Sequence, residues 1–497
     1  MFEHLLAGFA GAVIPHNLLF MVVGVAIGIF GGAMPGVAAS TIIALLLPFT
    51  FGMPADTSLI LLTASYVGAE YGGSISAIFI NTPGTPGAIM TTLDGYQMTK
   101  RGFPVKALCA SLVPSTIGGL IGNIALILIA VPLANFALRF GPAEYFALGV
   151  FGLSIVATLT GDDWRKGVLA AGLGLFLVMI GTDQMTGYPR FTFGRGELLG
   201  GVSLVPMLIG FLALPEVLLM IEEIGEKTAL PQKLSHAFPT WQEWKATIPA
   251  TIRGSLIGIA MGTIPGHGST ISSIIAYNEE RRASKHPEKF GTGIIEGVAA
   301  PEAANNAVVG GSLIPTLTLG IPGSGSMAVL LGALTLHGLE PGPGLFQHNA
   351  DVIFNLFASQ FLANIALLII GLIGMTWWVR VIEVPRAVLA PCIVALCFIG
   401  AYSVSGNLWD VGTVLVCGII GYGMRKLNFP IAPAVLALIL GNIAEYNYRR
   451  MLLVSGGNLL EPLSHPITAV FLALAVITFV WPIYRHWKTT RGQSSAA

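Results

Sequence analysis

The strongest constraint on this chain is a glycine- and proline-rich pattern that occurs twice within apolar sequence. The first copy has Gly-Ala-Met-Pro-Gly at Gly32–Gly36 and Asn-Thr-Pro-Gly-Thr-Pro-Gly at Asn81–Gly87. The second copy has Gly-Thr-Ile-Pro-Gly at Gly262–Gly266 and Gly-Ile-Pro-Gly-Ser-Gly-Ser at Gly320–Ser326, about 230 to 240 residues later. Because Pro and Gly interrupt helices, the pattern predicts a duplicated unit whose helices are broken at corresponding places.

The surrounding composition indicates a membrane protein. Hydrophobic residues make up 54% of the 497 residues and charged residues only 10%, whereas a soluble domain carries about 25% charged residues. Apolar runs of spanning length recur along the chain, so we predict an all-α, polytopic membrane protein. The net charge of zero argues against a nucleic-acid partner, and the lipid bilayer is the expected environment.

The apolar runs and the repeat suggest five segments. Residues 1–16 are expected to form an interfacial helix, residues 17–221 the first membrane repeat, and residues 246–445 the second. A polar stretch at residues 222–245 reads as a cytoplasmic linker, and residues 446–497 as a final span with a tail.

Basic residues, which favour cytoplasmic loops, fall at opposite points of the two repeats. Lys100 and Arg101 follow the second break of the first repeat, whereas the corresponding segment, residues 337–346, has no Lys or Arg. In the second repeat, residues 281–289 are basic after the first break, and residues 51–57 are not. We therefore predict inverted repeats, each with a Pro-Gly-broken helical hairpin and a discontinuous helix. An elevator-type movement is expected by analogy with similarly built transporters.

A broken helix inside a membrane exposes backbone groups that need a partner, and a binding site lined by that backbone is the usual reason for one. Helix N-termini at the breaks favour anions such as carboxylates. The alternative is that each Pro-Gly only kinks a packed helix. The predicted substrate-binding residues are Pro35, Gly36, Ser40, Asn81, Thr82, Pro83, Gly84, Thr85, His267, Gly268, Ser269, Pro322, Gly323 and Ser324.

Carboxyl and amide side chains within apolar runs are candidates for a coupling cation, because such groups are costly in a membrane and tend to face a pathway. The predicted residues are Glu70, Asn81, Glu302, Asn305 and Asn306. For Glu302 the alternative is a helix cap after Pro301. We expect no cofactor and no metal apart from a possible Na⁺, with Na⁺ or H⁺ as the coupling ion.

Other functional classes have weaker support. The sequence has no H-E-x-x-H, G-x-x-x-x-G-K-[ST] or G-x-S-x-G motif, so we expect neither enzymatic activity nor direct use of ATP. An intramembrane enzyme would depend on Ser269 with His267, and a channel would require a continuous polar pore.

Taken together, these stretches resemble the large permease subunit of the bacterial tripartite tricarboxylate transporters, the TctA family. The similarity extends over the whole chain and is carried by residues 32–36, 66–74, 81–87, 94–96, 262–268, 300–307 and 320–324. It implies a multi-pass protein of the bacterial inner membrane. It also implies a small TctB-like membrane subunit and a periplasmic TctC-like substrate-binding protein as partners. The expected activity is uptake of a di- or tricarboxylate, citrate-like, coupled to Na⁺ or H⁺. The alternative is a single-subunit permease or an exporter for another small organic anion.

Overall fold

The chain folds almost entirely into helices. The computed structural model describes residues 2–155, 164–183, 185–222, 237–266, 268–381, 384–458 and 461–494. The helices up to the linker are α1 (Phe2–Ala12), α2 (Pro15–Gly32), α3 (Ala39–Leu46), α4 (Ala55–Ile80), α5 (Thr91–Lys100), α6 (Pro104–Ala137), α7 (Pro142–Ser154), α8 (Trp164–Val178), α9 (Leu204–Leu212) and α10 (Leu214–Glu222).

After the linker the same helical character continues. These helices are α11 (Trp241–Thr263), α12 (Gly268–Ala283), α13 (Glu296–Leu319), α14 (Gly325–Leu336), α15 (Pro343–His348), α16 (Ala350–Ile373), α17 (Met375–Val381), α18 (Arg386–Ser405), α19 (Leu408–Lys426), α20 (Ala432–Val454) and α21 (Pro466–Ser494). Short 3₁₀ turns occur at Leu47–Thr50, Pro86–Ile89, Gly196–Leu198, Pro287–Lys289 and Glu461–Ser464. A two-stranded antiparallel sheet pairs β1 (Gly181–Thr182) with β2 (Pro189–Arg190).

The hydropathy of the helices confirms the predicted class. Within the described part of the chain, five helical segments are long and apolar enough to cross a membrane: Pro15–Gly32, Pro104–Ala137, Leu204–Glu222, Ala350–Ile373 and Arg386–Ser405. Helices that satisfy their own backbone hydrogen bonds are the expected solution for so apolar a chain. The protein is an all-α, polytopic membrane protein.

The chain divides into two compact units that do not follow the predicted repeat boundaries. The first unit contains Met1–Ala134 and Glu216–Val404, and the second contains Asn135–Pro215 and Ser405–Ala497. Each unit therefore takes material from both halves of the sequence. The predicted linker lies largely outside the described residues.

Within the first unit, two sets of helices have the same order. A long helix, a break, a shorter helix, a second long helix and a second break occur in α2 to α4 and again in α11 to α13. The second long helix ends both times in a left-handed residue, Asn81 with φ of 59° and Gly320 with φ of 70°. Gly and Asn are the residues that tolerate this conformation as a helix cap. The repeat in the sequence is thus a repeat in backbone structure.

The two equivalent helices α4 and α13 run in opposite directions where they meet. The Tyr66 hydroxyl oxygen lies 3.2 Å from that of Ser324, just beyond the end of α13, and Glu70, one turn further along α4, accepts a hydrogen bond on its backbone carbonyl from Asn305 Nδ2 at 3.1 Å. As the residue number rises along α4, the neighbouring number on α13 falls. This antiparallel packing agrees with the inversion predicted from the positions of the basic residues.

The second unit contains an ionic network that fixes the β1–β2 hairpin against α20. Arg449 donates to Asp183 at 2.6 Å and pairs with Glu445 at 2.7 Å. The backbone amides of Met185 and Thr186 also donate to Asp183, at 2.9 and 2.8 Å. The Thr186 amide contributes most to lowering the pKa of the Asp183 carboxyl to about 2, with further contributions from Met185 and Arg449.

Candidate functional site

The four breaks of the first unit place helix beginnings close together. A Cβ added to Gly325, at the start of α14, would lie 3.7 Å from Cβ of Ser40, at the start of α3. Likewise, a Cβ on Gly268, at the start of α12, would lie 3.9 Å from Cβ of Ser324. Gly87, in the 3₁₀ turn Pro86–Ile89, approaches Glu70 and Asn305. Helix N-termini carry unpaired N–H groups and a partial positive charge, so this meeting point suits an anion.

Equivalent glycines hold the breaks of each repeat together. Gly84 packs on the carbonyl of Gly32, and a Cβ there would overlap that oxygen. In the second repeat, a Cβ on Gly323 would approach the carbonyl of Gly262 to 2.7 Å. Gly323 also accepts a hydrogen bond on its carbonyl from the Gly266 amide at 3.0 Å. The Pro-Gly motifs therefore bring backbone against backbone at the same point in both repeats, where a side chain would not fit.

Polar side chains from both repeats converge at these helix beginnings. The Tyr66 and Ser324 hydroxyl oxygens are 3.2 Å apart, and Ser324 also caps α14 by accepting from the Met327 amide at 3.3 Å. Ser269 follows Gly268 at the start of α12, and Gly268 approaches Ser324. Of the predicted residues, Ser40, Glu70, Ser269, Asn305 and Ser324 are thus brought into one region.

Several buried polar atoms on α4, on α13 and in the loop after α4 lack a hydrogen-bond partner among the described residues. They are Oε2 of Glu70, Oγ1 of Thr85, Oδ1 of Asn305, and both amide atoms of Asn306. Two of them, on Glu70 and Asn305, approach the same glycine, Gly87. Buried polar groups in native proteins are nearly always paired, and oxygen atoms are the ligands that hard cations prefer. The unpaired oxygen atoms of Glu70 and Asn305 are ligands of the kind that suits a small cation such as Na⁺.

Glu302 has a different environment from Glu70. Its carboxylate is fully buried and accepts hydrogen bonds from Thr91, from Ser111 at 3.0 Å and from Ser115 at 3.1 Å. All three donors belong to the first repeat, so Glu302 joins the repeats through hydroxyl contacts. It lies inside α13 and not at a helix start; the interpretation as a helix cap is therefore wrong. Its part in cation coupling stays a prediction.

The structure does not bring every predicted residue into this polar region. Asn81 and Thr82 are exposed at the end of α4, eleven residues beyond Glu70, which corresponds to about 16 Å along a helix. Gly36 has a φ of 87°, and among the described residues no atom lies within 4 Å of the place that a Cβ would occupy. His267 lies outside the described residues. Roles for these residues in binding stay predictions.

Two important residues were missed or underestimated from the sequence. Tyr66 was not predicted as a site residue, although a tyrosine in the middle of a buried spanning helix was a usable signal, since its hydroxyl needs a partner. Asp94 reads as part of a turn in the sequence, yet it is fully buried in α5. It accepts hydrogen bonds from the amides of Gly293 at 2.7 Å and Ile294 at 3.0 Å and from the Tyr277 hydroxyl at 2.8 Å. These contacts fix the loop between α12 and α13 to the first repeat.

Comparison with known proteins agrees with this architecture. The model of the tripartite tricarboxylate transporter TctA family matches residues 18–436. The chain is 36% identical over 480 residues, 97% of its length, to an Agrobacterium vitis protein described as an uncharacterized 52.8 kDa protein in the TAR-I ttuC' 3'region, of which 96% is covered.

A second Agrobacterium vitis protein, from the TAR-II ttuC' 3'region, is 36% identical over 236 residues, which is 48% of this chain and 98% of that protein. No solved structure matches the chain. The match over most of the chain and the broken, repeated helices lead to one conclusion: the protein belongs to the TctA family, the large permease subunits of tripartite tricarboxylate transporters.

Proposed function

We propose that this permease imports a di- or tricarboxylate, citrate-like, in a secondary process coupled to Na⁺ or H⁺. The observation that carries the proposal is the meeting of helix N-termini with buried, unpaired oxygen atoms in one region. The helix ends supply N–H donors and positive potential for carboxylates, and the oxygens supply ligands for a cation.

Charge balance supports coupling to a cation. The N-termini of α3, α12 and α14 each contribute about half a positive charge, or about +1.5 in total. Ionised Glu70 opposes them with one negative charge. A substrate with two or three carboxylates therefore leaves a net negative charge, which is costly inside a membrane. One or two cations bound beside the substrate, or a proton on Glu70, would balance it.

Within this proposal, different residues serve the two ligands. The hydroxyls of Ser40, Ser269 and Ser324 lie at or beside helix beginnings and would donate to substrate carboxylates. Oε2 of Glu70 and Oδ1 of Asn305 would bind the cation. Because Ser324 contacts Tyr66, which lies one turn before Glu70 on α4, the proposed substrate and cation positions are neighbours, and this suits coupled binding.

We further propose that the chain lies in the bacterial inner membrane and works with a small membrane subunit and a periplasmic binding protein, as its family membership suggests. The basic loops after α5 and α12 would then face the cytoplasm. Alternating access would follow from an elevator-type movement of the helices that contain the four Pro-Gly breaks. That last step rests on analogy with other inverted-repeat transporters.

The decisive experiment is uptake of radiolabelled citrate into proteoliposomes that contain the permease and its small subunit. Purified binding protein is supplied outside, and Na⁺ and pH gradients are imposed separately. Accumulation driven by one gradient supports the proposal and identifies the ion. If neither gradient drives accumulation, secondary coupling is wrong. Full uptake without binding protein would instead favour a single-subunit permease.

A further inference from the structure

An apolar cavity of about 420 Å³ lies behind the first Pro-Gly break, within the first unit. Its walls come from α2, α3 with the following 3₁₀ turn, and α18, and include Phe20, Ile27, Leu45 and Leu396. None of the fifteen described lining residues has a charged or hydroxyl-bearing side chain. Neither a carboxylate substrate nor a cation would find a partner here, so the cavity is distinct from the polar region of the breaks.

The lining of the cavity follows one face of α2 over a length that suits an extended hydrocarbon chain. Phe20, Ile27 and Gly31 line it on one face of α2, and eleven residues of helix correspond to about 16 Å. That length is close to half of the roughly 30 Å hydrocarbon core of a bilayer, which is one leaflet. With a methylene taken as about the 30 Å³ of a water molecule, the volume accommodates about 14 methylenes.

Part of the cavity lining reaches the protein surface. Four lining residues, Val23, Phe30, Phe49 and Leu396, are 36–41% exposed, and α2 and α18 are both membrane-spanning candidates. Water does not fill a site that offers no hydrogen-bond partner. A helix is about 10 Å across, so a 16 Å length of one occupies more than the 420 Å³ of the cavity. The solute that is apolar, narrow and abundant at this opening is a lipid acyl chain.

We propose that this cavity binds one acyl chain of a membrane phospholipid, and that the chain supports the first break from the lipid side. The lining includes Met34 in the break itself, Gly31 in the last turn of α2 and Ile42 in the first turn of α3. An acyl chain would therefore contact the backbone turn that positions the start of α3. Its presence stabilises the hairpin of α2 and α3 in the arrangement described above.

Photolabelling tests the site directly. The full-length protein is reconstituted with phosphatidylglycerol that carries a diazirine in the middle of one chain, irradiated, digested and mapped by mass spectrometry. We expect label on the segments 20–34 and 42–53, and at least a fivefold loss of that label in Ile27→Trp, where the indole fills the cavity. Leu19→Trp is the matched control, because Leu19 is on the same helix, 58% exposed and outside the cavity; it should keep wild-type labelling.

Unchanged labelling in Ile27→Trp, or label centred on the exposed face around Leu19 in every variant, would overturn the proposal. Should Ile27→Trp fold poorly, Leu45→Phe reduces the same cavity from the opposite wall. A second readout is the melting temperature in detergent. Added phosphatidylglycerol should raise it in the wild type and the Leu19→Trp control, and clearly less in the filled variant. Both readouts are independent of transport, so their outcome is separate from the outcome of the uptake experiment.

Discussion

Replacing Asp94 with alanine removes the acceptor that fixes the α12–α13 loop to α5. The carboxylate accepts from the amides of Gly291, Gly293 and Ile294 and from the Tyr277 hydroxyl, at distances of 2.7–3.0 Å. Each lost hydrogen bond to a charged group is worth about 1.5–3 kcal/mol when its donor stays buried. The loop can turn its amides toward water, so we take about 1 kcal/mol for each of the four donors and expect a loss of about 4 kcal/mol.

Asp94→Asn is the matched control. An asparagine keeps one carbonyl oxygen for the amides of Gly293 and Ile294, and its NH₂ group can donate to the Tyr277 hydroxyl. The Gly291 amide also keeps its contact with that oxygen, at 3.0 Å, so only the charge and the second contact of this amide, with Oδ2, are lost. We expect a cost of about 1–2 kcal/mol, because a charge-assisted bond is roughly twice as strong as a neutral one.

Limited trypsin digestion measures this difference, because the loop carries cleavage sites at Lys285 and Lys289. When opening is fast relative to cleavage, the cleavage rate follows the open population. A loss of about 4 kcal/mol should then raise the cleavage rate by about 700-fold, or to the rate at which the unfolded chain is cleaved, since about 1.4 kcal/mol is a factor of ten. Equal rates for Asp94→Ala and wild type, or for the two variants, would refute the assigned role.

Four further predictions follow from the same structure. Glu70→Gln should reduce gradient-driven uptake at least tenfold without changing the melting temperature, and wild-type rates would remove Glu70 from the cation site. Gly84→Ala should lower the melting temperature because its Cβ overlaps a carbonyl, whereas Gly172→Ala, in a helix with open space around it, should not; equal melting temperatures would contradict the close packing. Asn81→Gly should retain uptake, because glycine also adopts the left-handed cap, and its loss would show that the amide is needed. The folded pKa of Asp183, about 2, lies below its ordinary value of 3.8, so its stabilising effect is present above about pH 4 and is lost as the pH falls toward 2. Thermal unfolding at pH 7 and pH 3 should therefore show a smaller difference in Asp183→Asn than in wild type, and identical pH dependence would contradict the network.

The membrane class, the breaks and the repeat were predictable from the sequence because they depend on local properties. Hydropathy over about 20 residues identifies a span, and Pro with Gly limits the backbone regardless of its surroundings. The inversion also followed from local charges, and the antiparallel contacts of Tyr66 and Glu70 agree with it. The left-handed residues that end α4 and α13, Asn81 and Gly320, are a further local feature, because they occupy corresponding positions of the two repeats.

The composition of the polar region was predictable only in part. Among the polar residues near the breaks, Asn305 contacts Glu70 and Ser324 contacts Tyr66, and their roles in binding stay predictions. Exposure separates Asn81 and Thr82 from them, and no sequence pattern indicates on which side of a break a side chain will lie. The three hydroxyl groups that contact Glu302 belong to α5 and α6. Their meeting with Glu302 depends on how these two helices pack against α13.

Hydropathy and the repeated Pro-Gly motifs are enough to predict a chain that spans a membrane with broken, duplicated helices, because solvation and backbone geometry act residue by residue. Tertiary structure decided which groups meet: Tyr66 with Ser324, 258 residues apart, and Asp94 with a loop about 200 residues away. Such contacts depend on the rotation and offset of packed helices. These are set by the whole interface, so no short stretch of sequence carries them.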